Sequence, residues 1–247
     1  MKKLIIFDLD GTLAQSKSAI DSETAELLQG LLAVAQVAVI SGGDWPQFEK
    51  QLLRNLDQSS VMENLHLLPT CGTKYFRFTE SWCKVYSEDF TTQDRARIID
   101  AFHGVLQVPE FRPAETWGEV IEDRGSQITF SALGQEAPLD AKASWDPDFS
   151  KRKEIMGVLR PMIPEFTIRL GGSTSIDVTR PGIDKAYGIT KLSLMLNIEI
   201  SEMLFIGDAV FPGGNDYPAK EMGVNTIQVR DPQETKAIIA TILACSS

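Results

Sequence analysis

Two aspartates stand two residues apart at the end of a short apolar run, Leu4-Ile5-Ile6-Phe7-Asp8-Leu9-Asp10-Gly11-Thr12. A strand that delivers a carboxylate into a crevice can present it as a nucleophile to phosphorus, and a second carboxylate beside it can carry the proton. Asp8 is the candidate for the first task and Asp10 for the second. Carboxylates at such a place need compensating positive charge, and Mg²⁺ suits hard oxygen ligands. The same residues also read as an apolar strand closed by an Asp-Gly turn, so the remainder of the chain has to decide.

Three further clusters bear on that decision: Ser41-Gly42-Gly43, Gly182-Ile183-Asp184-Lys185, and Gly207-Asp208 followed by Asn215-Asp216. Each falls just past an expected strand or at the start of an expected helix, which is where open parallel sheets bind ligands. Hydroxyl, ammonium, carboxylate and nucleophile are the parts that phosphoryl transfer requires, because that chemistry depends on positioning and charge neutralisation. Taken singly, each cluster is also an ordinary glycine turn, helix lysine or helix cap. Four of them in order favour the joint reading.

The elements that position these clusters follow from pattern. Leu4 to Phe7 is a short buried strand, Ser22 to Val34 carries apolar residues at helical spacing, Val37 to Ile40 is a second strand, and Trp45 to Leu56 a second helix capped by Asp44. Tyr75 to Phe78 and Trp82 to Tyr86 predict a hairpin. Thr92 to Val105 predicts a helix, Gly118 to Asp123 and Gln127 to Ser131 two strands, Phe149 to Met162 a helix, and Phe166 to Leu170 with Ser175 to Thr179 a hairpin turning at Gly171-Gly172. This α-β-β-α-β-β order predicts a small antiparallel sheet with helices on one face, inserted as a lid. Pro138 to Pro147 reads as the most loop-like stretch. From Lys185 the first pattern resumes: a helix to Leu196, a strand over Met203 to Ile206, a short helix over Asp216 to Met222, a strand over Thr226 to Val229 and a closing helix over Pro232 to Ala244. The expected fold class is α/β, a Rossmann-like parallel sheet core with an inserted α+β cap. Residues 1–88 and 183–247 are assigned to the core and 89–182 to the cap.

Composition narrows the class of partner. The chain has 247 residues, 43% apolar and 23% charged, with a formal net charge of −10. That charge opposes nucleic acid and anionic membrane as partners and leaves room for a local basic pocket for a small phosphorylated substrate. No stretch reaches the roughly 20 apolar residues of a membrane span, and the run after Lys2-Lys3 stops at Asp8, short of a signal sequence. A cytoplasmic location is expected. Cys71, Cys83 and Cys245 lack metal or disulfide spacing and read as free thiols. His66 and His103 are too few and too far apart for a metal pair, and read as surface or partly buried side chains.

With these residues in view, the chain resembles the haloacid dehalogenase-like phosphatase superfamily. The Asp208-Ala209-Val210-Phe211-Pro212-Gly213-Gly214-Asn215-Asp216 segment, the Gly171 to Asp177 segment and Gly182-Ile183-Asp184-Lys185 are similar to the branch of eukaryotic-type phosphomannomutases and Cof-type sugar phosphatases. The resemblance implies an aspartyl-phosphate on Asp8, Asp10 as acid and base, Thr12 orienting Asp10, and Ser41 with Lys185 holding phosphoryl oxygens. It implies Gly42 and Gly43 in the substrate loop, and Mg²⁺ among Asp8, the backbone carbonyl of Asp10 and Asp208. Asn215 would reach phosphate or metal-bound water, and Asp216 would orient Lys185. In the cap it implies a second phosphate site from Arg124, Ser175 and Asp177, with Lys142 in place of an arginine, and either a monomer or a homodimer formed through the cap. Gln135 stands where another arginine is expected, and Lys17 where the core loop would carry one.

An arginine exchanged for Gln loses a full charge, and Lys supplies only a point charge. The expected function is therefore a Mg²⁺-dependent phosphatase of phosphorylated sugars or similar small metabolites, acting through an aspartyl-phosphate intermediate. The alternative is a phosphomannomutase, and a third reading is a sugar-phosphate binding protein without turnover.

Overall fold

The structure, a computed structural model, describes residues 2–57, 60–113 and 115–246. In chain order its regular elements are β1 (Leu4–Phe7), α1 (Ser22–Leu32), β2 (Gln36–Ile40), α2 (Trp45–Gln51), β3 (Leu65–Leu68), β4 (Lys74–Phe78), β5 (Trp82–Ser87), α3 (Thr92–Val105), β6 (Ile121–Asp123), β7 (Gln127–Ser131), α4 (Leu139–Trp145), α5 (Ser150–Leu159), β8 (Thr167–Leu170), β9 (Ser175–Thr179), α6 (Lys185–Leu196), β10 (Met203–Gly207), α7 (Tyr217–Glu221), β11 (Asn225–Gln228) and α8 (Pro232–Ala244). Two compact units result, one from Met1–Ser87 with Ile183–Ser247 and one from Glu88–Gly182. Among the described residues no helix is long and apolar enough to cross a membrane.

The first unit is an α/β structure around a seven-stranded sheet in the order β11-β10-β1-β2-β3-β4-β5. The strands from β11 to β3 run parallel, and β4 and β5 are antiparallel. All four residues of β1 are buried without alternation, which means that both faces of the sheet are covered. Ile5, Phe7, Val37 and Val39 pack with Leu28, Leu31, Leu32 of α1 and Ile239 of α8 on one side. Leu4, Ile6, Ala38 and Ile40 pack with Ile189 and Leu192 of α6 and Ala219 of α7 on the other. Parallel pairing of β10, β1 and β2 sets the ends of these strands side by side, with Phe7 opposite both Ile206 and Val39. The loops that follow them therefore open at one edge of the sheet.

Two features of this unit depart from expectation. Strand β3 was not legible, because four residues interrupted by His66 show neither alternation nor a clear apolar run. It nonetheless pairs with β2 and with β4, and so joins the β4-β5 hairpin to the core sheet. His66 is buried rather than superficial, and its Nδ1 lies 2.8 Å from the Tyr75 hydroxyl. Helix α2 ends at Gln51 instead of Leu56: a single tight turn follows over Leu53–Asn55, and the chain becomes extended at Leu56.

The second unit is a four-stranded antiparallel sheet, β6-β7-β9-β8. Ile98 and Phe102 of α3 and Ile155 and Leu159 of α5 bury against Ile128, Phe130, Ile176 and Val178. The element order is α-β-β-α-α-β-β, because Leu139–Trp145 forms α4 where a loop was expected. Pro138 precedes the first helical residue, where its missing N–H leaves no bond unmade, so it starts the helix instead of breaking it. Strand β6 is confined to Ile121–Asp123. The β8-β9 turn is held from inside by the fully buried Arg152, whose Nε donates to Asp146 at 2.7 Å and whose guanidinium also donates to the Gly171 carbonyl at 2.8 Å.

Helix α6 approaches the loop after β3 more closely than any side chain would permit. A methyl group on Gly188 would lie 2.7 Å from the Cys71 carbonyl oxygen and 2.6 Å from Ile40 Cδ1. Gly188→Ala is therefore expected to push α6 outward, cost about 1–3 kcal/mol of stability in urea unfolding, and lower activity through Lys185 one turn earlier. A second expectation concerns pH. Burial drives the His66 imidazole down to about 4 from its ordinary 6.5, with Arg77 adding to the effect. The unfolded chain takes up this proton first, so stability is full above about pH 6.5 and falls as pH drops towards 4. His66→Gln should flatten that part of the stability curve.

Candidate active site

Asp8 follows β1 directly and is 3% exposed. Its Oδ1 accepts a 2.5 Å hydrogen bond from the ammonium of Lys185, the first residue of α6. The helix begins there because Asp184 caps it, accepting from the Tyr187 N–H at 3.1 Å. The same ammonium donates to Asp216, whose other oxygen accepts from the Ala209 N–H at 2.9 Å. Asp8, Asp208 and Asp216 each bring a carboxylate oxygen into one cluster, with these atoms within 4.8 Å of one another.

Three carboxylates thus face one ammonium. Burial pushes the Asp8 carboxyl up to about 7, opposed by Lys185 and assisted by the charge of Asp216. Burial likewise raises Asp208, with Asp216 adding to it. For Lys185, burial works against the charged form, but Asp8 and Asp216 outweigh it and its pKa is raised. This donor set calls for more positive charge than Lys185 supplies, and its hard oxygens fit a divalent cation such as Mg²⁺.

Asp10 is placed differently. Its carboxylate lies outside the three-member acidic cluster and is held by neutral N–H groups: the Lys17 backbone at 2.6 Å and Gln51 Nε2 at 3.1 Å on Oδ1, and Gln47 Nε2 at 2.6 Å on Oδ2. Gln51 also donates to the Ser18 carbonyl at 2.8 Å, which fixes its orientation. Gln47 and Gln51 were missed in the sequence. Their signal was spacing, two amides one helical turn apart on the helix that follows the Ser41 loop. Thr12 reaches Asp208, at 3.4 Å, rather than Asp10. Asp216, expected as support for Lys185, both bonds Lys185 and joins the acidic cluster. Ser41 is buried, its hydroxyl accepting from the Gly43 N–H at 3.1 Å, with Gly42 between them. Asn215 is exposed on the loop before α7.

In the second unit, the cap candidates gather on the sheet face opposite α3 and α5. Ser175 and Ser131 share a hydrogen bond of 2.8 Å, and Gln135 donates to Ser131 at 2.9 Å. Thr129 donates to Asp177 at 2.7 Å, and burial raises the Asp177 carboxyl against the opposing charge of Arg124. Arg124 is bound by Glu122, with Nε at 2.9 Å. Lys142, buried on α4, donates to the Gln135 carbonyl at 2.9 Å. Glu122, Thr129 and Ser131 were not singled out in the sequence; period-two alternation along β7 was the available signal for Thr129 and Ser131.

The chain matches the family model of the eukaryotic phosphomannomutases over residues 24–245. A phosphomannomutase of Dendrobium officinale is 26% identical over 227 residues, covering 88% of this chain and 84% of that protein. Phosphomannomutase 1 of Homo sapiens is 26% identical over 224 residues, covering 87% and 81%. Among solved structures, an N-terminally truncated IMP-nucleotidase of Plasmodium falciparum superposes with a TM-score of 0.71 at 17% identity, over 98% of this chain and 70% of that one. Trehalose-6-phosphate phosphatase of Aspergillus fumigatus gives 0.58 at 17% identity, over 100% and 93%. The structural likenesses establish the fold, and the family match, which spans most of the chain, establishes the lineage: the protein belongs to the eukaryotic phosphomannomutase family, within the haloacid dehalogenase-like phosphotransferases and phosphohydrolases.

Proposed function

We propose that the chain moves phosphate between positions of a hexose phosphate in the manner of a phosphomannomutase, through an aspartyl-phosphate on Asp8 and with Mg²⁺ bound. The observation that carries the reading is the buried Asp8–Lys185–Asp216 group with Asp208 beside it, a nucleophile, one ammonium and two further carboxylates at one sheet edge. Asp8, Asp208 and Asp216 are the carboxylates that would hold the metal, whose charge would keep Asp8 ionised and offset the phosphoryl oxygens. The Asp8 carboxylate attacks phosphorus; the bond to the sugar oxygen breaks, and that oxygen takes its proton from Asp10. Lys185 and the Ser41 hydroxyl bind the transferred oxygens. In the return step Asp10 removes the proton from the accepting hydroxyl, and the electron pair of the broken acyl-phosphate bond returns to Asp8.

Hydrolysis, the outcome expected from sequence, has less support from the family match than the mutase outcome. A specific observation keeps it as the second reading. On the cap sheet Arg124 is already paired with Glu122, and Gln135 stands where a further guanidinium was expected. Both lower the capacity of that face for a second phosphate dianion.

Product analysis separates the two. With mannose 1-phosphate and a hexose bisphosphate activator, a mutase yields mannose 6-phosphate with little free phosphate and is strongly stimulated by the activator. Predominant phosphate release, without stimulation, would establish hydrolysis instead. Asp8→Asn should lower either activity by about 10³-fold or more. Gln135→Arg should raise the proportion of mannose 6-phosphate over free phosphate.

A further inference from the structure

Asp10 carries the proton in the reading above, and the geometry around it points to which oxygen does so. A carboxylate offers about four lone-pair positions, two on each oxygen. Oδ1 receives two donors, the Lys17 N–H and Gln51 Nε2. Oδ2 receives one, Gln47 Nε2 at 2.6 Å. Gln51 cannot turn its carbonyl towards Asp10, because the same amide donates to the Ser18 carbonyl. Oδ1 is thus held as an acceptor, and among the described residues the single unfilled position lies on Oδ2.

Gln47 is itself set in place by the substrate loop. Its Oε1 lies against Gly43, where an added methyl group would come within 2.0 Å of that oxygen. Glycine at position 43 is what leaves room for the amide, and the amide in turn faces Asp10 with its donor. We propose that Gln47 is a positioning residue for Asp10: by filling one lone pair of Oδ2 it directs the remaining one, and the proton it carries, towards the leaving oxygen of the substrate. When the bond from phosphorus to the sugar oxygen breaks, that oxygen keeps the electron pair and takes the proton from Oδ2. Asp10 is left as a carboxylate with all three N–H donors still in place.

This inference rests on the acid role given to Asp10, and the experiment tests the two separately. The full chain with Mg²⁺ is assayed on mannose 1-phosphate, followed by its disappearance, and on 4-nitrophenyl phosphate, whose leaving group departs without a proton. The quantity compared is kcat/KM, which includes the step in which the leaving group departs. Gln47→Met is expected to lower kcat/KM for mannose 1-phosphate by about 10- to 100-fold and for 4-nitrophenyl phosphate by less than about threefold. Gln47→Glu, which keeps the shape but loses the donor, should show the same selectivity, and thermal unfolding should place both variants near the parent. Equal losses on the two substrates, or none on either, would overturn the proposal. Asp10→Asn is the reference: if it is selective and the Gln47 variants are not, Gln47 alone is misassigned, whereas an Asp10→Asn that spares both substrates removes the acid role itself.

Discussion

The ammonium of Lys185 lies between Asp8 and Asp216 in the interior, and the architecture of the first unit is organised around that ion group. Its members are 1%, 3% and 0% exposed. Taking such charges out of water costs several kcal/mol per ion unless each finds its partners. Lys185 is 177 positions from Asp8 and 31 from Asp216, so the partners come from β1, α6 and the loop after β10. The ion group and the closure of the sheet consequently depend on each other. The close passage of α6 over the loop after β3, permitted by Gly188, is part of the same constraint because it sets where the first residue of α6 stands.

The two aspartates of the first loop occupy contrasting surroundings although one residue separates them. Asp8 sits among charges and is desolvated, whereas Asp10 is surrounded by neutral amides. Environments that differ in this way suit the different tasks proposed for them, Asp8 as a nucleophile beside one ammonium and Asp10 as a proton carrier whose oxygens are individually addressed. Thr12 follows the same division: it turns to Asp208, on the side of the acidic cluster, and leaves Asp10 to α2.

In the second unit the charged side chains are largely committed to one another. Arg152 is bound to Asp146 and to the β8-β9 turn, Arg124 to Glu122, and Lys142 to a backbone carbonyl. The same sheet face also carries Arg169 of β8, opposite Asp177, beside a row of hydroxyls and amides. The net charge of such a face is lower than that of one built from several uncommitted arginines.

The chain by itself determined the α/β class, every strand and α-helix except β3 and α4, and the four clusters around Asp8, Ser41, Lys185 and Asp208. These are carried by neighbours in sequence: apolar spacing, caps such as Asp44 and Asp184, and glycine turns. Tertiary structure alone decided the rest. It made Leu65–Leu68 a strand, because the polarity of His66 is answered by Tyr75 on β4, and it made Leu139–Trp145 a helix that buries Lys142. It also drew Asp216 into the acidic cluster and set Gln47 and Gln51 on Asp10. Local periodicity announces an element, but the partner of a polar side chain depends on distant segments meeting, and hydrogen bonds and ion pairs are satisfied only there.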